Sequence, residues 1–104
     1  MFKELTEDNL NLEFQTSKKV MIQYGAAWCG NCKITKPKFK HLAEEHPDVL
    51  FVYVDAEKFP NSRQYADVTN LPTFAGFVNG ELASQKQGNK IETIKEVLDA
   101  VTSN

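Results

Sequence analysis

The stretch YGAAWCGNCKITKP, Tyr24 to Pro37, holds both cysteines of the chain, Cys29 and Cys32, with only Gly30 and Asn31 between them. Its flanks decide how the pair is used. Upstream, KVMIQY from Lys19 to Tyr24 is rich in β-formers and nearly continuous in apolar residues, as is Val49 to Val54 downstream, and both read as strands buried on two faces. Between them, Phe39, Leu42 and Ala43 recur at helical spacing from Cys32 to His46, with Pro37 inside the run, where it removes one intrahelical bond and should kink the helix. Strand, helix and strand within about thirty residues form a βαβ unit, whose right-handed crossover makes the two strands parallel.

Around that unit the pattern is also legible. Thr6, followed by Glu7 and Asp8, reads as an N-cap with acids in the first turn, opening a helix to about Gln15 with Leu10 and Phe14 on one face. A shorter helical stretch is expected near Asn61 to Ala66. Pro72 to Val78 and Glu81 to Gln87 flank Asn79-Gly80, a dipeptide suited to the positive φ angles of a type I′ hairpin. Asn89 with Glu92 three residues later resembles a capping box, and Ile91, Ile94, Leu98 and Val101 form an apolar stripe on the helix that follows. The expected fold is α/β, a central mixed sheet with helices on both faces, in a single domain spanning 1–104.

Composition narrows the function classes. The chain has 104 residues, 41% hydrophobic and 25% charged, which fits one ordinary globular core. A net charge of -2 offers no overall attraction for phosphate backbones or anionic lipids, so neither nucleic acid nor membrane is expected as a partner. Val49 to Val54 is far too short to span a bilayer, and MFKELTEDNL lacks the apolar stretch of a signal peptide, so the expected location is cytoplasmic.

Two thiols three residues apart could hold a metal, staple a fold or exchange electrons. Zinc needs four ligands in a tetrahedron, which here would require His41 and His46 as well. If the helix is regular, His41 lies roughly 13 Å along the axis from Cys32, and His46 farther still, so one mononuclear site cannot close. A redox role has a mechanism: Cys29 sits at a helix N-terminus, where unsatisfied N–H groups and the helix dipole stabilise a thiolate. Cys32 returns to nearly the same face one turn later, within disulfide reach. Gly30 adds no bulk beside the reacting sulfur. Trp28 offers a flat apolar contact to an incoming chain, unless it is only core packing.

At these residues the chain resembles the thioredoxin family. WCGNCK, Trp28 to Lys33, is similar to that family's WCGPCK; Pro37 matches its kinking proline; LPTF, Leu71 to Phe74, resembles its cis-proline segment; and Asn79-Gly80-Glu81 and Gly88 match its last hairpin and the glycine after it. The resemblance covers nearly the whole chain and implies a thioredoxin fold. It also implies a cis Leu71-Pro72 bond beside the cysteines, with the Leu71 backbone pairing to an extended substrate, Pro72 keeping the site free, and Trp28, Gly30, Asn31 and Gly88 around the substrate.

The implied activity is a protein dithiol–disulfide oxidoreductase. Cys29 is the nucleophile, Cys32 resolves the mixed disulfide, and substrate protein disulfides are reduced. No metal, flavin or nucleotide motif is visible, so no cofactor is expected and electrons come from a thioredoxin reductase or another donor. The expected state is a monomer. An oxidase or isomerase of the same fold is an alternative, as is a binding subunit without turnover, though a pure binder needs no resolving thiol.

Departures from the family concern the neighbours of the cysteines. Gln23 stands where a buried aspartate is usual, and Phe51 where its lysine partner is usual, so an uncharged hydrogen-bonded or apolar arrangement should replace the pair. Gln cannot ionise, so Cys32 is expected to resolve more slowly, or with a simpler pH dependence, than is typical of the family. Asn31 replaces proline and returns an N–H that could bond a thiolate, which should make the potential somewhat more oxidising. Lys33 is a candidate modulator of that potential, and Gly25 replaces a family aromatic.

Overall fold

In the computed structural model, which describes residues 1–103, the chain forms a five-stranded mixed sheet with helices on both faces. β1 (Phe2–Glu4), β2 (Lys19–Gly25), β3 (Leu50–Asp55), β4 (Thr73–Val78) and β5 (Glu81–Gln87) lie in the order β1-β3-β2-β4-β5. The first three run parallel, while β4 and β5 are antiparallel to their neighbours. β2 occupies the centre, and its residues from Val20 to Gly25 are all buried, as its unbroken apolar run requires.

Alternation along the strands divides the core into two layers. Val20, Ile22, Tyr24, Val52 and Val54 face Leu10, Phe14 and Phe59 on one side. Met21, Phe51 and Phe74 face the other side, where α2 (Gly30–Glu45) and α3 (Ile91–Thr102) supply Phe39, Leu42, Ile94, Val97, Leu98 and Val101. A Cβ at Gly76 of β4 would run into the Val101 side chain, so the absence of a side chain there sets how closely α3 approaches the sheet. α2 continues through Pro37. Phe51 is therefore a core residue opposite Met21, with Tyr53 opposite Gln23.

Four features differ from expectation. β1 was not foreseen: three residues with no apolar alternation carry no strand signal, yet they pair with Phe51, Val52 and Tyr53. That pairing continues into a bond from Leu5 N–H to the Tyr53 carbonyl at 2.9 Å, which keeps the chain extended where a Thr6 cap was expected. The first helix, α1, accordingly spans only Asn11–Thr16, and Asp8 instead accepts the Asn61 N–H at 3.1 Å. The stretch near Asn61 is a 3-10 helix, Pro60–Tyr65. At α3 the N-cap is Lys90, whose ammonium cannot accept a cap bond, and the Asn89 amide instead donates to Asn31 Oδ1 at 3.3 Å. The hairpin turn is as expected, with φ of 53° at Asn79 and 80° at Gly80.

Tyr24 ties β2 to the 3-10 helix. Its ring is fully buried and its hydroxyl donates to the Ser62 carbonyl at 2.8 Å. Burial pushes its pKa well above the ordinary tyrosine value, with a smaller contribution from Tyr65. In the unfolded chain Tyr24 ionises near pH 10, whereas in the folded chain it stays neutral. Stability is thus fully present below about pH 10 and falls as pH rises above it, by up to about 1.4 kcal/mol per pH unit for this one group. Urea denaturation from pH 8 to pH 11 should show that decline, and Tyr24→Phe should flatten it while costing about 1 kcal/mol at neutral pH for the lost hydrogen bond.

Candidate active site

β2 ends at Gly25, and the turn through Ala26, Ala27 and Trp28 delivers Cys29 to the N-cap of α2. Extended backbone at Cys29 (φ -85°, ψ 107°) lets its side chain bend back over the first turn. Its sulfur accepts a hydrogen bond from the Cys32 N–H at 3.2 Å, the bond a serine or aspartate oxygen ordinarily makes at this position. A negative sulfur there would face unsatisfied amide donors and the positive end of the helix dipole. The donor is the Cys32 N–H rather than that of Asn31, whose carbonyl and side-chain oxygen instead accept from Thr35 and Asn89.

Cys29 and Cys32 are joined by a disulfide with Cα atoms 5.3 Å apart. Cys32 is wholly buried, while Cys29 keeps 5% exposure, so an incoming group meets Cys29 first. Leu71 packs against Ala26 and both cysteines, and the Leu71-Pro72 peptide bond is cis. The Pro72 carbonyl accepts the Gly88 N–H at 3.4 Å; Gly88 has φ of 139°, a conformation open to glycine and rarely to other residues.

Trp28 is 67% exposed and is therefore not core. It lines a shallow depression of about 300 Å³ with Leu71, Asn70 and Arg63. A Cβ at Gly30 would meet nothing within 4 Å, which leaves the approach to the disulfide open. Lys33 is exposed on α2. Among the described residues, no three His, Cys, Asp or Glu side chains come together as a metal site.

Behind the disulfide stands an uncharged network. Gln23 is fully buried, and its Nε2 donates to the Cys32 carbonyl at 3.1 Å and to Thr35 Oγ1 at 2.9 Å. Thr35, also buried, donates to the Asn31 carbonyl at 2.8 Å. Sequence reasoning missed Thr35, although Cys32, Thr35, Phe39 and Leu42 follow one 3-4-3 helical stripe and a polar residue on a core stripe needs a partner. It also missed Tyr53, whose ring lies over Gly25 so closely that a Cβ on Gly25 would strike its hydroxyl. An aromatic absent at position 25 is thus supplied by the neighbouring strand. Lys36 sits over that ring at 4.5 Å and pairs with Glu4. Burial first, then Asp55 and Glu4, raises the Tyr53 pKa.

A cysteine pair closed at a helix N-terminus, one sulfur at the surface edge and one buried behind it, defines a dithiol–disulfide oxidoreductase. The family model described as Thioredoxin matches residues 1–100, and the chain belongs to the thioredoxin family. Thioredoxin of Ophiophagus hannah is 33% identical over 95 residues, covering 91% of this chain and 90% of the relative. Thioredoxin of Gallus gallus is 29% identical over 97 residues, 93% of this chain and 92% of the relative. Among solved structures, mitochondrial thioredoxin 3 of Saccharomyces cerevisiae in its oxidised form superposes with a TM-score of 0.83 at 29% identity, covering 94% of each chain. Reduced thioredoxin of Schistosoma mansoni gives 0.87 at 29% identity, with 96% and 97% covered. No helix among the described residues is long and apolar enough to cross a membrane.

Removing the Thr35 hydroxyl while keeping its shape tests the network. Thr35→Val should destabilise the oxidised protein by about 1–2 kcal/mol, because the Gln23 amide loses one of its two acceptors inside the core. Equilibrium denaturation in urea measures this, and an unchanged midpoint would contradict the role given to Thr35.

Proposed function

We propose that the protein reduces disulfides in substrate proteins, with Cys29 as nucleophile and Cys32 as resolving thiol, in a single domain acting as a monomer. The Cys29 thiolate attacks one sulfur of the substrate disulfide, forming a mixed disulfide and releasing the first substrate thiolate, which takes a proton. Cys32 then gives up its proton and attacks Cys29 Sγ, releasing the second substrate thiolate and closing the Cys29–Cys32 disulfide. A thioredoxin reductase or another dithiol donor returns two electrons and two protons to the pair.

The observation that carries this reading is the N-cap position of Cys29. The amide donor on its sulfur stabilises the attacking thiolate, and burial keeps Cys32 behind it as a protonated reserve. Substrate docks as an extended segment along Leu71 and Pro72, beside Trp28, Gly30, Asn31 and Gly88. Gln23 modulates the resolving step, and Lys33 acts through its charge on the potential of the pair. A cytoplasmic site of action fits a reductant that depends on a thiol-reducing donor.

Two cysteine variants separate turnover from mere binding. Cys32→Ser should accumulate mixed disulfides with many proteins, since the intermediate can no longer be resolved, and Cys29→Ser should form none while keeping the fold. Insulin reduction, followed by precipitation of its free B chain, should drop to the uncatalysed rate in both. One noncovalent partner captured equally by both variants would instead mark a binding subunit.

A further inference from the structure

The Gln23 side chain is inaccessible to solvent, and its Oε1 has no hydrogen-bond partner. The amide cannot be turned around to mend this. The Cys32 carbonyl on its other side can only accept, so the NH2 group must stay there, at 3.1 Å. A buried acceptor left unpaired is unfavourable and calls for a reason. Thr35 does not supply one, because its hydroxyl already donates to the Asn31 carbonyl.

What changes between the two redox states of the site is the proton count. In the disulfide neither sulfur carries hydrogen. When two glutathione molecules reduce it, the S–S bond breaks, glutathione disulfide forms, and two electrons and two protons pass to the pair. A protonated Cys32 then gains a donor, on the residue whose own carbonyl Gln23 already holds.

We propose that Gln23 is a positioning residue for the resolving thiol, its Oε1 accepting a hydrogen bond from the Cys32 S–H that appears on reduction. The proposal rests on the reading of Cys29–Cys32 as a redox couple. It assigns Gln23 a sensing function without ionisation: the amide is half-satisfied when the pair is oxidised and fully satisfied when it is reduced, which favours the dithiol.

Few charges compete at this position. Opposite Gln23, β4 presents Phe74 and β3 presents Tyr53, whose hydroxyl is turned toward Gly25. Asp55 of β3 and Glu4 of β1 act on Tyr53, and from α2 Lys36 is engaged with Glu4 and the Tyr53 ring while Lys33 is exposed. From β2 itself, Tyr24 faces the opposite layer and Lys19 lies at the far end. Among the ionisable groups here, only the Cys32 thiol belongs to a residue that Gln23 already holds by a hydrogen bond, through its carbonyl.

The test uses Cys29→Ala, which leaves Cys32 as the single thiol of the chain. Its infrared S–H stretch should fall at a hydrogen-bonded frequency and move to that of an unbonded thiol when Gln23→Met is added, a change that nearly conserves volume. In the chain with both cysteines, Gln23→Met should lower the equilibrium constant for reduction by glutathione about tenfold, a shift of about 30 mV toward a more reducing potential. Gln23→Glu should restore the bonded S–H band at acid pH, where the neutral carboxyl can both donate and accept, which guards against a packing defect in the Met variant. An unbonded S–H in Cys29→Ala itself, or a potential that Gln23→Met leaves unchanged or makes more oxidising, would overturn the proposal. The band needs no substrate, so failure of insulin reduction by the wild-type chain would strike the oxidoreductase reading and not this one.

Discussion

The sulfur of Cys29 occupies the acceptor position at the start of α2, and the Cys32 N–H that points at it fixes the first turn of that helix. Much of the architecture serves this contact. β2 is central and buried, so the strand end from which the turn departs is held on both sides by β3 and β4. α2 is anchored to the same sheet by Phe39 and Leu42, whose contacts with Phe51 and Phe74 prevent the helix from shifting along its axis. A displacement of one ångström between strand end and helix start would break the bond, since hydrogen bonds weaken steeply with distance and angle. Here packing of large aromatic rings sets the electrostatics of a sulfur.

Behind the disulfide, the protein meets the demand for polar support without a charge. A carboxylate in that layer would have to be desolvated, at a cost of several kcal/mol unless paired. Gln23 and Thr35 instead form a short chain of neutral bonds from β2 to the Cys32 and Asn31 carbonyls. Such a network holds the helix turn at any pH near neutrality, whereas a carboxylate would hold it differently on either side of its own titration. The replacement is consistent across two strands: on β3, Phe51 adds an aromatic to the core, and Tyr53 covers the glycine at position 25 of β2.

How much of this was legible depends on how local each signal is. The strands around Met21 and Phe51, the Asn79-Gly80 turn and the α3 stripe are written in periodicity or turn chemistry, and they appear within a residue or so of where the sequence puts them. The Cys29–Cys32 pair was legible because it falls between a strand and a helix of a βαβ unit, where its spacing returns both sulfurs to nearly the same helix face. β1 was not, since Phe2–Glu4 becomes a strand only because β3 presents an unpaired edge. The same pairing defeated the Thr6 cap, and a contact across 58 residues took Asn89 from the capping box suggested by its neighbours. Gln23 could be singled out as a departure, but its partner Thr35 emerges only when the polar interruption in the Cys32-Phe39-Leu42 stripe is asked where its hydroxyl goes.

The central claim is that Cys29 and Cys32 form one reversible two-electron couple poised by this turn. Equilibrating the protein against graded glutathione and dithiothreitol buffers at neutral pH, then alkylating and counting free thiols, measures it directly. The account predicts a single titration in which both cysteines gain and lose their label together, with the fold intact throughout. Labels appearing at different potentials, or a disulfide whose reduction unfolds the chain, would contradict it.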